Sequence, residues 1–364
     1  MQTAFTDDQI QFREVVARFL QDKSQTTATR KLIETDEGYD PAVWQQLSQE
    51  VGLAGTHIPE QYGGFGFGPV ELGITAEEMG RALYAGPFFA SAVMASHALL
   101  FIAEEDARAE WLPEIAAGTT IATLVLDNLN GPEQVGTQIR AENNQLTGTA
   151  PLVVDGHIAD CLFAVAGNGL YAVNANAPGI TIQPIASLDP TRKLSQISFK
   201  GAAARKIGSV TPANLQTTWD HLCVALAHEM VGGAQHLLDS TIEYTKLRYQ
   251  FGRPIGSFQG LKHRCADLLM EVEWAKAAAH HAARCLVSGE GETYLPSMVK
   301  AMASDTYMKT AKEAIQMRGG IGFTWEEDTH LWYKRAKSSE VFLGTPTYHR
   351  ERMMSLIENQ EAAA

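Results

Sequence analysis

Three polar side chains near the middle of the chain, Arg248, Gln250 and Gln259, flank a turn between two helical segments. Apolar residues recur at three- and four-residue steps up to Tyr244, which predicts a long amphipathic helix ending near Gln250. Residues 251–256, FGRPIG, contain two glycines and a proline, which end a helix. An arginine binds phosphate bidentately, and the first amides of the next helix carry partial positive charge. These residues predict a polyanion site, with a plain helix hairpin that carries a solvated arginine as the alternative.

Length and charge limit the classes of protein that fit this chain. It has 364 residues, of which 45% are apolar, and a formal net charge of -13. The length predicts about two to three structural units with a sizeable core. The acidic balance, without a cluster of lysine or arginine, argues against nucleic acid and anionic membranes as partners. Any bound anion must therefore be held by local geometry.

The cysteines and the amino terminus indicate the compartment. The four cysteines are scattered, and none has the Cys-x-x-Cys or Cys/His spacing of a zinc or redox site, so no metal is predicted. They fit small buried hydrophobes in a reducing environment. The first residues lack the basic-then-apolar order of a signal peptide. These observations predict a cytoplasmic protein.

Helical periodicity covers the two ends of the chain and frames a region of strand character. From Thr6 to about Ala103 apolar residues recur at helical spacing, and from Leu215 that spacing returns. Between them, short β-prone segments are separated by Asn, Gly and Pro, as in an antiparallel barrel or sandwich. The predicted strands are 121–126, 146–154, 161–165, 170–173, 180–185 and 195–199. We therefore predict an α+β, mainly α fold with a helical domain (1–119), a β domain (120–211) and a second helical domain (212–364).

Two blocks of residues make the chain resemble the acyl-CoA dehydrogenase family from residue 5 to residue 357. The first is 248–255, RYQFGRPI, with Phe258-Gln259 after it, and the second is 316–324, QMRGGIGFT. Residues 59–64, PEQYGG, and 111–113, WLP, are further points of similarity. The resemblance implies the fold of that family, with a middle β-barrel or sandwich and a C-terminal four-helix bundle.

The resemblance also implies FAD as the cofactor. In the family the flavin lies between the strand domain and the C-terminal helices of one subunit, and a neighbouring subunit completes the site for its diphosphate and adenosine. The residues that match the neighbour's contribution are Arg248, Gln250, Phe251, Gln259, Gln316, Met317, Arg318, Gly319 and Gly320. Their chemistry fits, because guanidinium and amide groups bind phosphate and glycine permits close approach of the backbone.

The implied reaction is α,β-dehydrogenation of an acyl-CoA thioester, in which a carboxylate removes the α proton. In most of the family this glutamate precedes a Gly-Thr pair, and here Leu343 precedes Gly344-Thr345. A second position used in the family falls at Leu222. Neither leucine can accept a proton.

Two strand segments also depart from the family. Residues 126–130, LDNLN, stand where a Thr-Glu-Pro-like segment is found, and residues 151–154, PLVV, stand where a Trp-Ile-Thr-like segment is found. In the family these two segments line the isoalloxazine. The chain thus keeps the residues that serve a neighbour's flavin and lacks those that serve its own.

These departures favour a subunit of a heteromeric acyl-CoA dehydrogenase. A homologous catalytic subunit would supply the glutamate and the flavin-lining strands in a heterotetramer. The resemblance points to bulky acyl-CoA thioesters of lipid or steroid catabolism, with electron transfer flavoprotein or a similar acceptor.

Two alternatives remain. In a homo-oligomeric enzyme with a relocated base, Glu229, seven residues after Leu222 and on nearly the same helix face, is the candidate ahead of Glu340. The other interpretation of Glu229 is a charge at the rim of a helix pair. The last alternative is a non-enzymatic relic that binds acyl-CoA or a partner protein without flavin.

Overall fold

The computed structural model describes residues 5–363, with the side chains of residues 5–360. Residues 1–4, part of the stretch on which the signal-peptide argument depends, lie outside the described residues. The described chain runs through helices, then strands, then helices. This order confirms the predicted α+β, mainly helical fold class.

The amino-terminal region is helical. Its α-helices are α1 (Asp7–Lys23), α2 (Thr26–Leu32), α3 (Pro41–Gln45), α4 (Pro69–Arg81), α5 (Ser96–Ile102) and α6 (Glu105–Ala116). The Thr6 hydroxyl accepts from the Gln9 amide and the Gln9 side chain accepts from the Thr6 amide, so a capping box starts α1. Wider π-type turns form Phe88–Ala95, where the sequence predicts a continuous α-helix; every residue of that segment is buried, so packing decides its geometry.

The middle region consists of two four-stranded sheets, ordered β1-β4-β5-β8 and β2-β3-β7-β6. The strands are β1 (Ala122–Val125), β2 (Arg140–Glu142), β3 (Gln145–Val154), β4 (Cys161–Ala166), β5 (Gly169–Asn174), β6 (Ile180–Ile185), β7 (Leu194–Ala203) and β8 (Arg205–Ser209). A separate apolar core, with Leu162 and Ile197 fully buried, belongs to this region. β1 and β4 pair in parallel, contrary to the antiparallel prediction, because the chain crosses into the other sheet between them.

The carboxy-terminal region is built around one long helix. Its α-helices are α7 (Pro212–Leu247), α8 (Gln259–Ser288), α9 (Leu295–Arg318), α10 (Thr329–Val341) and α11 (Pro346–Ala363). α7 packs against α8 and α9 and also against α4 of the amino-terminal region. α4 and α7 touch through backbone: a Cβ on Gly80 would lie 1.9 Å from the Glu229 carbonyl oxygen, and a Cβ on Gly232 would lie 1.8 Å from the Glu77 carbonyl oxygen. The two helical regions therefore share one core.

Candidate functional site

The turn between α7 and α8 is a small hairpin with a strained tip. Tyr249–Gln250 and Arg253–Pro254 pair as β9 and β10, after α7 has ended at Leu247. Phe251 and Gly252 form the tip with φ of 54° and 75°. A phenylalanine in this left-handed region costs about 1–2 kcal/mol, and its side chain is 90% exposed. A strained and solvated aromatic residue of this kind marks a functional surface.

Free hydrogen-bond donors lie beside this hairpin at the start of α8. The exposed Arg248 side chain forms no hydrogen bond or ion pair with any other described residue. Phe258 precedes the helix and gives no side-chain cap. Among the described residues, the amides of Gln259 and Gly260 have no acceptor. A free guanidinium and open helix-start amides are the groups that an anion site needs, so the predicted polyanion site stays a prediction that this geometry suits.

The Gly-Gly segment after α9 exposes its backbone. α9 ends at Arg318, and Gly319 follows with φ of 66°. A Cβ placed on Gly319 or on Gly320 would meet no atom within 4 Å. The Gln316 side chain is exposed one turn earlier. A ligand can therefore approach this backbone closely and meet an amide side chain at the same surface.

The fold brings these two segments together at one end of the helical bundle. The Tyr244 hydroxyl, one turn before Arg248, donates to the Arg318 carbonyl oxygen at 3.4 Å. The Cys265 and Met317 sulfurs lie 3.8 Å apart and join α8 to the end of α9. We call the exposed residues of this end the flavin half-site, after the cofactor that the family resemblance predicts for them. They are Arg248, Gln250, Phe251, Gln259, Gln316, Gly319 and Gly320.

The side chains of Met317 and Arg318 do not belong to the exposed surface. Both are buried, at 6% and 7% exposure. The Arg318 guanidinium donates to the side chains of Thr241 at 2.6 Å, Ser240 at 3.0 Å and Glu327 at 3.0 Å. A buried guanidinium must satisfy its donors inside the protein, so the cofactor contact predicted for Arg318 is left to its backbone and stays a prediction. Its role is to fix the Gly-Gly segment against α7.

The turn that carries Leu343 keeps a fixed shape without a carboxylate. Leu343 is fully buried with φ of 57°. The His349 Nε2 donates to the Leu343 carbonyl oxygen at 2.8 Å. Lys300, whose pKa burial lowers to about 8, donates to three carbonyl oxygens at 2.6–3.1 Å. Those carbonyls belong to Ser339, Glu340 and Gly344.

Glu229 occupies a position that neither interpretation of the sequence predicts. It is buried in α7, and its Oε1 lies 2.5 Å from Arg192 and 3.1 Å from Arg335. Burial alone would raise the pKa of Glu229, but the charges of the two arginines outweigh it and lower that pKa below its usual value. A carboxylate held ionised in this way is a poor proton acceptor. Glu229 therefore lies inside the protein and not at the rim of a helix pair, while the relocated base stays a prediction that the ion pairs argue against. Leu222 is also buried in α7.

Glu229 belongs to a larger set of buried charges, which we call the charged cluster: Asp189, Arg192, Glu229 and Arg335. Arg335 Nε donates to Asp189 at 3.0 Å, so a segment before β7, α7 and α10 are tied together. All four residues are at most 5% exposed. Their mutual pairing explains how such charges are tolerated inside the protein.

The charged cluster lies beside Phe342, the residue before Leu343. The Arg192 guanidinium lies 5.5 Å from the ring centres of both Phe89 and Phe342. The remaining cavity has a volume of about 20 Å³, room for about one water molecule. Asp155 lines it, and burial raises the pKa of Asp155 to about 7 against the opposing charges of Arg192 and Arg335. An acyl chain does not fit in this space.

No sequence pattern identifies Asp189, Arg192 and Arg335 as site residues. Arg192 and Arg335 lie 37 and 106 residues from Glu229, so no spacing rule connects them. The available signal was the concentration of charge in Asp189-Pro190-Thr191-Arg192, directly before a strand. That signal indicates a special segment but does not name its partners.

The two departing strand segments border a second cavity. Residues 126–130 and Pro151 and Leu152 line a volume of about 240 Å³. The buried Asp127 carboxylate accepts from the amides of Gly136 at 2.7 Å and Ile139 at 3.0 Å. These hydrogen bonds hold residues 136–139 against Asp127 and fold the loop back on itself.

Glu340, the second candidate for a relocated base, forms an ion pair with a lysine. The Glu340 carboxylate lies 2.5 Å from Lys337 on the same helix. In the part of the chain that the structure describes, no three His, Cys, Asp or Glu side chains are arranged to hold a metal ion. No described helix is long and apolar enough to cross a membrane.

Comparison with known proteins gives consistent matches along the chain. Residues 6–119 match the acyl-CoA dehydrogenase N-terminal domain, and residues 214–357 match the acyl-CoA dehydrogenase C-terminal domain. The acyl-CoA dehydrogenase IpdE2 of Mycobacterium tuberculosis is 35% identical over 343 residues, which cover 94% of this chain and 95% of that protein.

Solved structures share the fold. The chain is similar to a steroid ACAD, Tcur3481-Tcur3483, with a TM-score of 0.88 and 25% identity over 98% of this chain and 99% of that one. It is also similar to a chain of the ChsE4-ChsE5 complex from Mycobacterium tuberculosis, with a TM-score of 0.88, 24% identity and the same coverage.

Proposed function

Because the chain belongs to the acyl-CoA dehydrogenase family, we propose that it is the non-catalytic subunit of a heteromeric, FAD-dependent acyl-CoA dehydrogenase. A homologous partner subunit supplies the catalytic glutamate and the strands that line the isoalloxazine. This chain supplies the flavin half-site across the interface. The observation that carries the proposal is the contrast between this open half-site and the buried leucines, Leu343 and Leu222, at the two positions where the family has its glutamate.

The residues of the half-site suit the phosphate end of FAD. Arg248 has a free guanidinium for the diphosphate, and the open amides of Gln259 and Gly260 add donors. The exposed backbone at Gly319 and the Gln316 amide suit the adenosine. When bound, FAD supplies the acceptor for the hydride of the substrate. The residues of this chain bind and orient it, and Phe251 anchors the subunit against its partner.

We infer the substrate and the electron acceptor from relatives and not from a pocket in this chain. The similar Tcur3481-Tcur3483 protein is a steroid ACAD, and ChsE4-ChsE5 is a complex of two proteins. We therefore assign a bulky acyl-CoA thioester to the partner's active site, a heterotetrameric assembly, and electron transfer flavoprotein or a similar acceptor. The free cysteines suit a reducing cytoplasm.

The test is production of the full chain alone and together with a homologous subunit that carries the family glutamate. Alone, the chain should purify without a flavin absorption band near 450 nm. Co-produced, the two chains should co-purify with FAD and dehydrogenate an acyl-CoA thioester. The proposal fails if the lone chain holds stoichiometric FAD and is active, and a flavin-free complex would support the non-enzymatic relic instead.

A further inference from the structure

A cavity of about 500 Å³ lies away from the half-site and from the charged cluster. Its walls come from α1, the α1–α2 connection, α4, α7 and α10. Leu20, Ala82 and Trp332 give it an apolar lining. A neighbouring cavity of about 300 Å³ shares Ser24 and Thr27 with it. Volumes of this size are typical of small-molecule sites.

One wall of the cavity is a flat aromatic platform with unused polar groups. The His236 imidazole stacks on the Trp332 indole, with ring centres 4.0 Å apart and planes within 6°. Neither ring nitrogen of His236 forms a hydrogen bond with the described residues. Burial first, then the charges of Arg81 and Arg318, lower the pKa of His236 to about 4. The neutral ring thus offers one N–H donor and one acceptor lone pair.

The charged groups at the cavity are already paired. Arg81 Nη2 binds Asp239 at 2.7 Å, which leaves its other nitrogens as donors, and Arg13 Nε lies 3.3 Å from the Glu78 carboxylate. Because each cation has a counter-charge, the cavity has no free positive charge for a phosphate or a carboxylate. It offers shape, an aromatic platform and hydrogen bonds.

We propose that this cavity binds a neutral, mostly apolar ring compound that carries one hydroxyl or carbonyl group. The ring lies against the His236–Trp332 platform, and the oxygen reaches His236 and Arg81. This site is separate from the flavin half-site, and the polyanionic CoA moiety does not suit it. The size of the cavity sets an upper limit of a few fused rings.

Isothermal titration calorimetry of the full-length chain with 2-naphthol tests the site. We expect saturable binding with one site per chain. Ala17→Trp, which fills the cavity from α1, should weaken binding by about tenfold or more, or roughly 1.4 kcal/mol. Arg18→Trp is the matched control, because Arg18 is the exposed next residue of the same helix and does not line the cavity; its affinity should stay within about twofold of wild type. Ala82→Leu fills the same cavity from α4 if Ala17→Trp does not fold.

A second pair of measurements tests the polar contact. His236→Phe keeps an aromatic ring on Trp332 and removes the hydrogen-bonding nitrogens. It should weaken 2-naphthol by about tenfold and leave naphthalene, which lacks the hydroxyl, within about twofold. Three results overturn the proposal: no saturable binding, binding unchanged in both filling variants, or loss of 2-naphthol binding in the complex with the partner subunit, which would show that a protein surface covers the cavity.

Discussion

Replacing Glu229 by glutamine removes the negative charge between Arg192 and Arg335 and keeps the shape of the side chain. Breaking a buried ion pair by removing one partner costs about 3–5 kcal/mol in free energy of unfolding. Arg335 keeps Asp189 at 3.0 Å, so we expect the lower end of this range, about 3 kcal/mol.

This loss is large enough for differential scanning calorimetry of the full chain. An unfolding entropy of roughly 2.1 cal/mol/K per residue gives about 0.8 kcal/mol/K for 364 residues. The melting temperature should therefore fall by about 4 °C. Glu243→Gln is the matched control, because Glu243 lies on the same helix and its exposed carboxylate pairs with Lys246. The control should change the melting temperature by less than about 1 °C.

Asp155 makes the effect of Glu229→Gln depend on pH. In the wild type, burial raises the pKa of Asp155 to about 7. In the variant, Arg192 lacks its carboxylate partner, so ionised Asp155 becomes a counter-charge and its pKa falls. In the wild type, ionising Asp155 above its raised pKa costs stability, so a lower pKa in the variant relieves part of that cost at high pH, and this relief is lost as the pH falls. The difference in melting temperature between wild type and variant should therefore be larger at pH 5 than at pH 8.

One result would refute this reasoning about Glu229. A variant that melts like the wild type, retains flavin in the complex with the partner and yet loses dehydrogenation would identify Glu229 as the base. The expected result is the reverse, with a less stable chain and an assembled complex that is still active.

Three further changes test other parts of the structure. Arg248→Ala should weaken FAD binding by the complex about 10- to 100-fold without changing the melting temperature, because a hydrogen bond to a charged group contributes about 1.5–3 kcal/mol. Flavin absorbance after gel filtration measures how much FAD the complex retains. Arg264→Ala is the control, because the Arg264 side chain pairs with Glu313. Gly80→Ala should lower the free energy of unfolding by at least about 3 kcal/mol, because the added Cβ would meet the backbone of α7. Gly260→Ala is the control, because Gly260 has open space around it, and it should leave the melting temperature nearly unchanged. Equal melting temperatures of the two variants would contradict the close α4–α7 contact. Burial lowers the pKa values of three histidines to about 3–4. The unfolded chain therefore binds protons at these histidines more readily than the folded chain does. The free energy of unfolding should fall as the pH drops from 6.5 toward 4, by up to about 4 kcal/mol per pH unit. The three histidines are His97, His228 and His349. Urea unfolding at pH 6.5, 5.5 and 4.5 measures the slope, and a flat profile would contradict the burial of neutral imidazoles.

The local pattern of apolar and turn-forming residues was sufficient to predict much of the fold. The predicted strand 180–185 is β6 without change, because its β-branched residues lie between clear turn signals. The short polar strands β2 and β8 are missed, because few of their side chains are buried and their pairing depends on neighbours. The parallel pairing of β1 and β4 is likewise set by the path of the chain through the other sheet, which periodicity does not encode.

The candidate site also has some features that local sequence predicts and others that depend on contacts between distant residues. The exposed hairpin at Phe251 and the open backbone at Gly319 are local features, and the glycines and proline in these turns predict them. The pairing of Arg192 and Arg335 with Glu229 joins residues far apart in sequence, and it decides whether a carboxylate is a base or a structural counter-ion. The direction of the Arg318 side chain also depends on the opposing face of α7.

The bare phenyl ring of Phe251 has a consequence for how a cell must produce this chain. Under the proposed heteromeric assembly, a copy of this chain synthesised in excess of its partner leaves the Phe251 ring exposed to other proteins. We expect such orphan copies to aggregate or to be degraded, so that steady amounts of the chain require matched synthesis of the partner. Co-transcription of the two coding sequences is the simplest arrangement that would meet this requirement.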